Sequence, residues 1–139
     1  MFVDEDKYID MLLARFKSRV TNAKEFAQTY RVLLLTASNG MAVDISLGGM
    51  PFEQQMIERS SMFEFEEGYD LRTCSAEDLI VLKAFAARDK DWADVSSILQ
   101  RQKGKLDIEY IYANLQQLCE WKDAPEIMTK INQMIDSTK

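Results

Sequence analysis

Histidine is absent from this 139-residue chain, and cysteine, proline and glycine are scarce, at two, two and five residues. Without histidine there is no Ser-His-Asp or Cys-His nucleophile system and no zinc site of the usual Cys/His composition. The two cysteines, Cys74 and Cys119, lie far apart with no C-x-x-C spacing, so they read as small buried apolar residues. Little proline and glycine excludes collagen-like and Pro/Gly-rich disordered architectures. No apolar run approaches the roughly 18 residues of a membrane-spanning helix. The acidic opening MFVDEDKYIDML is also unlike the basic start of a secretory signal, so the expected location is the cytoplasm, away from membranes. Basic charge is short as well: 17 Lys and Arg stand against 23 Asp and Glu, for a formal charge of −6. Residues 53–78, with eight acids and two bases, carry that whole excess, and the remainder is neutral. Nothing in this balance supplies the basic stripe of a dedicated DNA- or RNA-binding protein, although small anionic ligands remain compatible with it.

What is present is a globular composition, 47% hydrophobic and 29% charged, long enough for one domain with its own core. Tyr8, Met11, Leu12, Arg15 and Phe16 recur at helical spacing and predict a helix over 5–18, followed by a shorter one over 22–30. Two strand-like runs, 31–38 and 41–47, flank Asn39-Gly40, a hairpin signal. A two-residue turn there pairs Leu35 with Asp44 and puts Val43, Ile45 and Leu47 on the face opposite Ala42, Asp44 and Ser46. Pro51 opens a helix to about residue 60; alternation then predicts extended pairs at 62–66 and 70–74. Ser75 caps a helix over 76–88, Asp91 begins another, Asp107 caps a third, and Asp123-Ala-Pro-Glu126 opens the last. The methionines and the two tryptophans mostly fall at core periodicity. The expectation is a single α+β domain over 1–139, with a mixed α/β half at 1–75 carrying a small antiparallel or mixed sheet and an all-helical half at 76–139.

Three places carry candidate chemistry. Asp44 sits mid-strand, where aspartate is disfavoured. Either it points inward as a metal-ligating carboxylate, or its face of the hairpin is simply wet. Lys83 interrupts the apolar helix LIVLKAFAA, where it either snorkels to solvent or contacts a phosphate. After it, Arg88, Asp91 and Asp94 put both signs of charge at a helix-helix corner, which also fits capping plus a surface ion-pair cluster. Gly48-Gly49 followed by Glu64-Phe65-Glu66 imitates a Gly-Gly phosphate turn with an alternating acid pair. The 14-residue gap, the two glutamates and the wrong chain order relative to Asp44 argue against it. Asp4-Glu5-Asp6 reads better as a helix start than as a metal-binding pair.

Taken together, Ala-Val-Asp-Ile, then Gly-Gly-x-Pro-Phe-Glu, then SAEDLIVLKAFAARDKDWADVSSIL resemble the nucleotidyltransferase-fold superfamily over roughly residues 30–120. The branch they look most like is the small bacterial proteins similar to abortive-infection and toxin-type nucleotidyltransferases. The resemblance implies Mg²⁺-dependent nucleotidyl transfer from a nucleoside triphosphate, with Asp44 as the third metal-binding carboxylate. It implies Lys83 and Arg88 as nucleotide or phosphate contacts, and Asp91 with Asp94 as the acidic pair after that helix. The phosphate turn and first carboxylate pair of complete members are not found in this chain, and Phe2-Val3 reads as the tail of the strand that would carry them. The chain is therefore expected to be catalytically incomplete on its own, a truncated form or one half of a split pair. The alternative expectation is a protein-interaction module, such as a toxin-antitoxin component, that binds a basic protein through the helical half and the acidic 53–78 segment. A homodimer through the edge of the 31–47 hairpin, or a separately encoded partner, is also expected.

Overall fold

The computed structural model describes residues 4–138; Phe2-Val3, expected as a strand tail, lies outside them. The described residues form seven helices and two small antiparallel sheets, an α+β arrangement. The first stretch comprises α1 (Glu5–Leu13), β1 (Lys17–Ser18), α2 (Ala23–Tyr30), β2 (Val32–Thr36) and β3 (Ala42–Ser46). Next come α3 (Pro51–Arg59), β4 (Ser61–Glu66) and β5 (Tyr69–Thr73). Four helices complete the chain: α4 (Ala76–Ala86), α5 (Asp89–Arg101), α6 (Ile108–Lys122) and α7 (Pro125–Thr138). Two compact units result, one ending at Gln54 and the other starting at Gln55, a division that falls within α3.

In the first unit the predicted helix over 5–18 stops at Leu13, because Lys17 and Ser18 leave the helical path to pair with Thr36 and Leu35. Its buried residue is Ile9, while Tyr8 and Met11 are largely exposed, so the core stripe is offset from the predicted one. Ile9 packs with Ala27, Leu33 and Leu35, and Leu12, Leu13, Ala23, Ile45 and Leu47 close around them. Acids of α1 meet cations that follow it in the chain, with Glu5 bonded to Arg31 at 2.6 and 2.9 Å and Asp10 to Lys24 at 2.9 Å.

The β2–β3 hairpin departs from the predicted register by one residue. Ala37 N donates to Met41 O at 2.8 Å and Gly40 N to Ala37 O at 2.9 Å, so the loop is Ser38-Asn39-Gly40. Gly40 takes φ 83°, the left-handed position that ends this kind of three-residue turn and that glycine tolerates best. Leu34 therefore lies opposite Asp44, and Leu35 opposite Val43. A slip of one residue exchanges the faces. Leu33 and Leu35 face the core, and Asp44 lies on the other side of the sheet.

In the second unit, α4 packs against α5 and α6, and α7 packs against α4, α5 and α6. Ile80, Val81, Val95, Ile111, Leu115, Ile131 and Ile135 are buried among the apolar positions of these helices. Ser75 and Asp107 cap α4 and α6 as predicted, each accepting a backbone N–H at 3.0 Å, from Asp78 and Tyr110. Cys119 is buried and Cys74 half-buried, and burial pushes both thiols above the usual cysteine range. The tryptophans diverge: Trp92 is buried and donates to Ala87 O at 3.2 Å, whereas Trp121 is 75% exposed. No helix among the described residues is long and apolar enough to cross a membrane.

The register makes a quantitative distinction between two neighbours of the same sheet. Leu35→Ala should lower the unfolding free energy by about 2–5 kcal/mol, as for a fully buried leucine. Asp44→Ala should lower it by less than about 1 kcal/mol, the scale of one exposed ion pair. Urea denaturation of both variants checks this, and equal losses would contradict an outward Asp44.

Candidate functional site

The chain between α4 and α5 brings four of the five candidate residues together. Ala87 closes α4 in the left-handed conformation at φ 58°, and Arg88 leads into α5 in extended conformation. That sharp turn sets the last turn of α4 against the first turn of α5. Lys83 Nζ lies 2.6 Å from Asp94 Oδ2 and 3.3 Å from Asp91 Oδ1. Arg88 grips Asp91 through Nε and through Nη2, the latter at 3.2 Å from Oδ1. Asp91 is completely buried, and both of its oxygens are satisfied by cations, as a buried carboxylate requires.

These contacts set the protonation states. The Arg88 guanidinium beside Asp91 holds its carboxyl down to about 2, against the opposing effect of burial and with help from Lys83. The Asp94 carboxylate keeps Lys83 above its ordinary range, with burial opposing and Asp91 assisting. Asp91 likewise raises Arg88. Both charges of each sign are present, so the corner is neutral as a whole. Arg88 is nonetheless mostly exposed and Lys83 partly so, which leaves their remaining donors accessible to an anion.

Asp44 belongs to the first unit. It is exposed on β3 and ion-paired with Arg19, the residue just after β1. Of its two open readings, the geometry favours the wet face. No group of three or more His, Cys, Asp or Glu side chains suited to a metal ion occurs among the described residues. One exposed carboxylate already held by a guanidinium does not fit the hard, multi-oxygen environment that Mg²⁺ requires.

The Gly48-Gly49 turn is also accounted for locally. The amides of Gly49 and Met50 donate to Glu53 Oε2 at 2.7 and 2.9 Å, and Arg31 Nη2 donates to Gly48 O at 3.2 Å. Glu53 thus reaches back over the start of α3 as the acid of a capping box. The amides that a phosphate turn would present are occupied by the chain's own carboxylate.

One buried charge escaped the sequence. Asp78 accepts from Arg59 Nη2 at 2.6 Å and from the Tyr110 hydroxyl at 2.7 Å, and Arg59 lies 5.0 Å from the Tyr110 ring centroid. Burial pushes the Asp78 carboxyl up, but the bonds from Arg59, Tyr110 and Ser75 outweigh it and leave it below the usual range. Burial and the neighbouring Asp78 push Tyr110 up to about 12. As the third residue after the Ser75 cap, Asp78 passes in sequence for a capping acid. Its partners stand 19 and 32 positions away, beyond any local spacing rule.

Comparison with known proteins identifies the scaffold. Residues 21–133 match a family described as nucleotidyl transferase of unknown function (DUF2204). No curated protein matches the chain.

The Asp91 clip has a pH signature. A carboxyl whose folded value lies near 2 against 3.8 when unperturbed adds stability that is complete above about pH 4 and is lost as pH falls toward 2. Asp91→Asn should cost about 1–3 kcal/mol at neutral pH, the scale of charged hydrogen bonds. The gap from the native chain should narrow steadily below pH 4. Acid titration of thermal unfolding measures this, and a gap that does not change with pH would exclude the ionised clip.

Proposed function

The chain belongs to that nucleotidyl transferase family, and on this premise we propose that it recognises a nucleoside triphosphate in the cytoplasm but does not transfer the nucleotidyl group on its own. The observation that carries this reading is the state of Asp44, an isolated exposed carboxylate neutralised by Arg19 where the family's chemistry calls for a carboxylate cluster. Members of the family usually use Mg²⁺, and the donor set among the described residues does not fit it. Transfer then depends on carboxylates contributed by another chain, a separately encoded partner or a second copy in a homodimer.

The triphosphate contact is assigned to Lys83 and Arg88. Arg88 is the more exposed of the two and has the planar fork that pairs with phosphate oxygens. Because Asp91 and Asp94 already neutralise both cations, an incoming phosphate competes with carboxylates of the same corner. Binding is therefore expected in the millimolar range. Asp91 and Asp94 act as positioning residues that hold the two cations in place. A second reading, an interaction module of the toxin-antitoxin kind, is favoured by one observation, the exposure of the whole β4–β5 hairpin.

Two measurements on the purified chain test the proposal. Millimolar ATP or CTP should raise the melting temperature by a few degrees, and Lys83→Met should abolish that increment. With α-labelled nucleotides and Mg²⁺, no label should reach protein or added RNA. Label transfer by the chain alone that disappears in Asp44→Ala would overturn the proposal, and so would the absence of any nucleotide-dependent shift.

A further inference from the structure

The hairpin of β4 and β5 breaks several rules of a stable surface at once. All 11 of its strand residues are exposed, among them Met62, Phe63, Phe65, Tyr69 and Leu71, each at least half exposed. The pair forms its own two-stranded sheet, so both strands have an outer edge with no neighbouring strand among the described residues. A hairpin of this kind is marginal in water by itself, and unpaired edges invite another strand.

Register sharpens the picture. Phe63 lies opposite Leu71 and Glu66 opposite Tyr69, which collects an apolar face with a carboxylate at its end; the pairing is irregular between Glu64 and Glu66, at Phe65. On the other face Glu64 lies directly opposite Asp70. Two carboxylates at directly opposed positions repel, the reverse of the cross-strand pairing that stabilises sheets. Glu64, Glu66, Glu67 and Asp70 form no ion pair among the described residues, in contrast to Asp44, Asp78 and Asp91. Arg72, the one cation of the hairpin, is turned toward Ser60, whose carbonyl and hydroxyl oxygens it contacts at 3.2 and 3.3 Å.

From this we infer that the β4–β5 hairpin is a docking strand pair for an extended segment of a partner protein in which lysine or arginine alternates with aliphatic residues. Such a segment adds as a third strand, covers Phe63 and Leu71 with its apolar side, and supplies the cation that the Glu64–Asp70 pair lacks. Charge selects this occupant over the others. A second copy of the chain would bring a second Glu64–Asp70 pair against the first, and anionic lipid or nucleic acid would be repelled by the same carboxylates. The inference stands independently of nucleotide recognition, since it uses none of Asp44, Lys83, Arg88, Asp91 or Asp94.

The probe is a synthetic octapeptide of alternating Lys and Val, compared with the Glu and Val version, titrated into ¹⁵N-labelled full-length chain. The cationic peptide should shift the amides of residues 61–73, bind more weakly as salt rises, and outcompete the anionic one at least tenfold. Phe63→Ser combined with Leu71→Ser should weaken binding at least tenfold while circular dichroism stays unchanged. Glu64→Gln separates docking from mere structure: it removes a repulsion, so hydrogen exchange in 61–73 should slow while peptide affinity falls and its salt dependence flattens. The inference is overturned if the cationic peptide leaves 61–73 unperturbed at millimolar concentration, or if both peptides bind alike. It is equally overturned if sedimentation shows a dimer of the free chain that Phe63→Ser dissociates, since the occupant is then a second copy.

Discussion

A carboxylate removed from water must be met by a cation or by N–H donors, and this constraint organises most of the molecule. Asp91 enters the core of the second unit only because Lys83 and Arg88 enclose it, and that enclosure fixes how α5 follows α4. Asp78 is buried with only one oxygen met: Oδ1 accepts from Arg59 and from the Tyr110 hydroxyl, while the buried Oδ2 has no hydrogen-bond partner among the described residues. Glu53 is satisfied by the two amides that open α3, and Asp44 by Arg19. Asp44, Asp91 and Asp94, the candidate carboxylates, are thus each paired with a cation of the same chain. On the β4–β5 hairpin Glu64 and Asp70 face each other with no cation paired to either among the described residues, although Glu64 accepts the Gly68 amide at 3.3 Å.

Local rules read much of this fold correctly, and their failures have a common origin. The helices of the second unit, the Ser75 and Asp107 caps and the charged corner of Lys83, Arg88, Asp91 and Asp94 follow from spacings of three to eleven residues, within reach of helical periodicity. The end of α1 was not legible, because it depends on Lys17 and Ser18 pairing with β2, a contact made across the intervening α2. Asn39-Gly40 taken as the whole turn puts the register off by one residue, because Ser38 also belongs to the loop. That error bears directly on the site: which face Asp44 occupies is a matter of parity, and a single residue reverses it. Arg19 and Arg59, the partners of Asp44 and Asp78, lie 25 and 19 positions from them, where sequence gives no local signal. Trp121 shows the same weakness of periodicity, since its position in α6 marks a face without saying whether anything covers it.

Family membership and site chemistry therefore carry different weights here. The match over residues 21–133 establishes descent from a nucleotidyl transferase scaffold. Whether the scaffold works depends on what its carboxylates face, and a fold by itself does not decide that. Paramagnetic Mn²⁺ titrated into the ¹⁵N-labelled chain tests the central claim most directly, because it reports each carboxylate separately. The amides of Val43, Asp44 and Ile45 should broaden no more than those beside other exposed carboxylates such as Glu64 and Asp70. Selective broadening centred on Asp44 at submillimolar Mn²⁺, abolished by Asp44→Ala, would contradict it.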